Sequence, residues 1–251
     1  MARPRSPQTG DARSMCTVVI RVPESASEPT RVLAIRDEDP ERPWNALGPW
    51  WPENEGVVGV RDARAGGAWL AADPATLRLS VLLNRADVAT RPESELISRG
   101  GIVLESVLDR SPEGEPPTHG FNLVEVRANG SRVLTWDGDV LRVTDLAPGT
   151  HMIAHDDVDD PATPRIARWL DDFRAAPVGG GERWWDAWLG VLRRSAELEP
   201  TDDRAIIRDN RPLGYPTLSL LACVASVSRD GLEVAYGELA EPGHWDELDL
   251  A

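Results

Sequence analysis

Five short runs of aliphatic and β-branched residues, at 17–22, 32–36, 57–60, 68–71 and 77–83, follow one another before any stretch of helical period occurs. Such runs, parted by Pro- and Gly-containing turns, suit a pleated, half-buried backbone, and their close succession predicts a first antiparallel sheet. A helix over 101–110 is predicted next, because Ile102, Leu104, Val107 and Leu108 recur mostly at helical intervals. A second block of strands then runs from 120 to 146, with Asn129-Gly130 as a hairpin turn and Asp137-Gly138 as another tight reversal.

Two helices should follow. Thr163 and Pro164 form a start signature, and Ile166, Trp169, Leu170 and Phe173 make an apolar stripe behind it. The segment 182–198 carries Trp184, Trp188, Val191 and Leu192 on one face, which reads as packing. A hairpin of 218–227 and 232–238, turning at Asp230-Gly231, closes the chain. Two strand blocks divided by segregated helices predict the α+β class, as a four-layer αββα sandwich of two antiparallel sheets with helices outside. Trp44, Trp50 and Trp51 lie among prolines, where they are expected to cover a sheet edge.

With 251 residues, 41% of them hydrophobic, the chain can bury one large core. A single domain over 15–251 is expected, preceded by a polar, aperiodic leader at 1–14. The net charge of −15 would repel nucleic acid. The longest apolar runs, such as "LSLLACVASV", are too short to span a bilayer, and the leader has no apolar signal core, so a cytoplasmic protein is expected. Cys16 and Cys223 are too few and too far apart for a disulfide framework or a metal-ligand spacing. All 27 cationic residues are arginine. Phosphate loops of the GxxxxGK type, Schiff-base lysines and Ser-x-x-Lys nucleophiles are therefore excluded. The chain's own N-terminus is its one primary amine.

"MCTVVIRV", "LAIRDEDPERPW", "RAGGAWLAAD", "VLLNR", "HGFNLVEV" and "LAPGTHMIAHDDVDDPATPR" together resemble the NRDE family, also called the transport and Golgi organisation protein 2 family. Ile35 stands where the Asn of that signature belongs; Arg36, Asp37 and Glu38 are kept. The family in turn is similar to the N-terminal-nucleophile cysteine amide hydrolases, which have an αββα fold and a first-residue cysteine whose α-amine acts as base. The resemblance implies Cys16 as nucleophile with Arg36 and Asp37 beside it, although Asp39 fits an Arg-x-x-Asp interval better. It implies Asn84 as an oxyanion donor, a role worth about 3 kcal/mol in the transition state. A second Asn of those enzymes falls at His155, and their late Arg has Arg211 as the available match.

A free thiol is only a few per cent thiolate at neutral pH, and a nearby arginine with a free α-amine would raise that fraction. Both helpers need Cys16 to be residue one. The expected start is therefore Met15, trimmed afterwards. The resemblance also implies a different class of function: a carrier that uses the cavity for an apolar ligand such as haem or an acyl chain. No cofactor is called for. His151, His155 and the aspartates of "HMIAHDDVDD" could offer metal ligands, but a solvated turn leading to Thr163 is the expected role of that stretch.

Overall fold

The computed structural model describes residues 16–88 and 91–251. Met15 and the expected leader lie outside the described residues. Twelve strands and three α-helices are described: β1 (Thr17–Val22), β2 (Thr30–Glu38), β3 (Trp44–Gly48), β4 (Val58–Asp62), β5 (Ala68–Asp73), β6 (Arg78–Asn84), α1 (Gly100–Val107), β7 (Phe121–Arg127), β8 (Gly130–Trp136), β9 (Leu141–Asp145), β10 (Gly149–Ile153), α2 (Pro164–Ala175), α3 (Asp186–Ser195), β11 (Leu218–Val227) and β12 (Leu232–Glu238). Five strands form one sheet in the order β10-β1-β2-β11-β12, and seven form the other as a meander from β3 to β9. Every named pairing is antiparallel.

Side chains alternate between the two faces of a strand, and here both faces are covered. Val18, Ile20, Val32 and Ala34 point between the sheets, against Leu70, Leu79, Val81 and Val124. Val19, Leu33 and Ile35 point the other way, against Ile166, Trp169 and Phe173 of α2 and Trp188 and Leu192 of α3. On the far side of the seven-stranded sheet, Leu82, Leu123 and Leu134 pack on Val103, Leu104 and Val107 of α1. The layers are thus α2 and α3, five strands, seven strands and α1, the αββα sandwich that the alternation of strand and helix blocks predicts.

Sheet membership does not follow those blocks. β1 and β2 leave the first five runs and join β10, β11 and β12, while β4, β5 and β6 continue into β7, β8 and β9. β2 is paired on both edges, by β1 and by β11, and its second partner is remote in sequence, Asp37 and Ser219 being 182 positions apart. The edge strand β3 and the Gly-led β10 are strands that composition does not mark. α1 stops at Val107 because Asp109 turns left-handed, with φ 66°. α3 occupies only Asp186–Ser195 of the expected 182–198, with turns on either side. Thr163 has the extended backbone of an N-cap ahead of Pro164, but its hydroxyl donates to Asp156 Oδ2 at 2.7 Å instead of to the helix. Trp51 is buried with its Nε1 donating to the Gly66 carbonyl, and Trp44 is half-buried with its Nε1 on the Tyr236 hydroxyl at 3.0 Å.

Candidate functional site

Cys16 leads into β1, and the pairing of Thr17 with Ile35 brings it beside Arg36 and Asp37 at the end of β2. Alternation separates those two. Arg36 shares the inter-sheet face with Val32 and Ala34, so it stands on the side of Cys16; its guanidinium lies 5.8 Å from the Trp44 ring centroid and 3.5 Å from Glu38 Oε2. Asp37 shares the helix-side face with Leu33 and Ile35. There the Ser219 hydroxyl donates to its Oδ1 at 2.6 Å, and Arg165 of α2 approaches its Oδ2 at 3.9 Å. A β-bulge between Ser219 and Leu221 re-aims Ser219 toward that face while leaving Leu220 and Leu221 both between the sheets.

Between the strand ends lies a cavity of about 470 Å³. The five-stranded sheet contributes Cys16, Arg36 and Asp37 to its wall, and the seven-stranded sheet contributes Trp69 and Asn84. Gly100 at the head of α1, His119 and Thr217 close its rim. Cys16 is 5% exposed, and its thiol donates to the Asp37 carbonyl oxygen at 3.7 Å. Among the described residues the Asp37 carbonyl is the hydrogen-bond partner of that sulfur.

Burial, and then the charge of Asp37, push the Cys16 thiol up to about 12; Arg36 pulls it down but does not prevail. Arg36 thus acts in the direction expected of it, and burial outweighs it. Burial also lifts the Asp37 carboxyl to about 6, opposed by Arg165, the Ser219 hydroxyl and Arg208. The same burial brings Arg165 down to about 10.

A family model described as Transport and Golgi organisation 2 matches residues 15–178. The chain belongs to that family. No curated protein matches it. The span that carries membership of the transport and Golgi organisation 2 family includes Cys16, Arg36, Asp37, Asn84 and His155, and ends before α3, β11 and β12. Within it, Ile35 takes the place of the signature Asn inside the apolar cluster under α2 and α3, where an amide would need buried partners.

Four of the five expected site residues of this family member, Cys16, Arg36, Asp37 and Asn84, line one cavity; His155 does not line it. Continuing the β1–β10 register past Val18 and Ile153 would set His155 opposite Cys16, but β10 ends at Ile153 and the chain bends away. His155 Nε2 instead lies 3.1 Å from Asp156 Oδ2, and burial lowers its pKa, with Arg165, Arg85 and Arg208 adding to the effect. The amide of Asn122, a residue the sequence reading passed over, holds this bend by donating to the carbonyls of Ala154 at 2.9 Å and Asp156 at 2.7 Å. Asp39 also lines the cavity, nearer its mouth, accepting from the Glu41 amide at 2.9 Å.

Arg211 is a surface residue paired with Asp209. The buried arginine of that stretch is Arg208, three positions earlier, with its Nε on Asn210 Oδ1 at 3.1 Å and its Nη1 on the Asp202 carbonyl at 2.8 Å. Arg165, whose Nη1 donates to Thr17 Oγ1 at 2.9 Å, was likewise unmarked, because a helix-surface arginine and a buried one have the same local sequence. His151 pairs with Asp159 and the Ala147 carbonyl. Among the described residues no cluster of three or more His, Cys, Asp or Glu is arranged to hold a metal ion, and no helix is long and apolar enough to cross a membrane.

Proposed function

We propose that this chain is an N-terminal-nucleophile-type hydrolase of a non-peptide amide or acyl compound, with Cys16 as nucleophile. The single observation behind this reading is the convergence of Cys16, Arg36, Asp37 and Asn84, from two different sheets, on one cavity. Sγ attacks the carbonyl carbon, and the thiol proton passes to the α-amine of the same residue and on to the leaving amine. Asn84 donates to the oxyanion, and water then hydrolyses the thioester, returning the thiol. Burial raises the Cys16 thiol, so attack is helped by a base that takes the proton as the new bond forms, the part this reading gives to the α-amine. In this reading the working chain begins at Cys16.

The raised thiol also favours a second reading, a carrier whose cavity holds a ligand without chemistry. Hydrolysis of small acyl amides and thioesters by protein beginning at Cys16 separates the two. The hydrolase reading expects turnover that disappears in Cys16→Ala and whose kcat/KM rises with pH through about 8, as an α-amine loses its proton. Equal rates for both proteins leave the carrier.

A further inference from the structure

The donors and acceptors around the cavity do not balance. Asp62 is answered by Arg42 Nε at 2.7 Å, Asp37 by the Ser219 hydroxyl on Oδ1 at 2.6 Å and by the Arg165 guanidinium 3.9 Å from Oδ2, and Arg99 Nη1 is used on the Gly120 carbonyl at 2.9 Å. Two donors are left over among the described residues: Arg36 Nη1 and Trp69 Nε1, both buried and both without a hydrogen-bond partner. Arg36 is 3% exposed and Trp69 7%, and each lines the cavity from its own sheet.

A buried N–H without an acceptor is costly, and a guanidinium cannot escape by giving up its proton. Glu38 offsets little of that charge, since its contact with Arg36 is a single long one of 3.5 Å and its side chain is 22% exposed. What the site lacks is an acceptor, preferably one that carries negative charge and presents two oxygens. We propose that the cavity recognises the carboxylate of an organic acid, one oxygen accepting from Arg36 Nη1 and the other from Trp69 Nε1. Within the hydrolase reading this carboxylate is a recognition handle of the substrate or the acid released. The recognition itself does not require Cys16 to react.

Hexanoate and hexanamide have the same shape and differ in charge, which makes them the probes. Binding to the protein would be measured by calorimetry and by the indole N–H resonances, of which Trp69's is the one lost in Trp69→Phe. Hexanoate should bind roughly tenfold more tightly than hexanamide or better, and should move the Trp69 resonance. Arg36→Gln should remove most of that preference, leaving hexanamide within about twofold. Should Arg36→Gln not fold, the comparison of the two probes and the Trp69 shift decide alone. Equal affinities, no binding of either probe, or binding that leaves the Trp69 resonance in place would overturn the proposal. Cys16→Ala should bind hexanoate as the parent does. Parent protein beginning at Cys16 that prefers hexanoate but turns over no acyl amide or thioester sinks the hydrolase reading only, and Cys16-dependent turnover without the hexanoate preference sinks only this one.

Discussion

Asp37 sits on the helix side of β2 with its carboxyl raised to about 6, against an ordinary value of 3.8. A carboxyl that is easier to protonate in the folded chain than in the unfolded one contributes stability that is full below about pH 4 and is lost as pH rises through 6. The loss is on the order of 3 kcal/mol. Urea denaturation of the parent and of Asp37→Asn, compared from pH 4 to pH 7, should show the parent losing stability relative to the variant by about that amount. A difference independent of pH would contradict the assignment. Across the cavity, Asn84→Ala in protein beginning at Cys16 should lower kcat about a hundredfold while the melting temperature stays near that of the parent. At this scale the legible residues were those in compact motifs: Cys16 next to a strand start, Arg36-Asp37 at a strand end, Asn84 at another. Trp69 of the cavity wall, and Arg165, Arg208 and Ser219 buried around Asp37, were not legible, because their positions come from burial and from a bulge that re-aims one side chain, and neither leaves a local pattern.

The head of α1 meets the entry to β5 through two glycines. A Cβ on Gly67 would stand 2.5 Å from the Gly100 carbonyl carbon, and one on Gly100 would stand 2.9 Å from the Gly67 Cα. This close approach lets the helix terminus form part of the cavity rim, and it gives the second glycine of "GGAWL" a physical reason. Gly67→Ala should cost about 1–3 kcal/mol through overpacking. The adjacent Gly101 has nothing within 4 Å of its Cβ position, so Gly101→Ala should instead stabilise by about 0.5–1 kcal/mol through helix propensity. Equilibrium unfolding of the two variants therefore expects opposite signs. The hairpin β11–β12, the α2 stripe and the Asn129-Gly130 turn could be read from sequence since each is a local periodicity or turn. Which sheet β1 and β2 join could not, because β2 and its partner β11 are remote in sequence and their pairing has no periodic signature.

For the molecule as a whole, the fold delivers Cys16 to the wall of a two-sheet cavity and buries its thiol there, and burial raises that thiol. Among the described residues its hydrogen bond goes to the Asp37 carbonyl, which cannot serve as a base. The account therefore depends on the amine of Cys16 itself, and the lysine-free composition makes that amine measurable. A lysine-free chain takes up an amine-reactive label at its first residue alone. Protein expressed from its native gene, labelled in this way, digested and analysed by mass spectrometry, should carry the label on Cys16; label on Met1 would contradict the account, since the sulfur would then have no amine beside it.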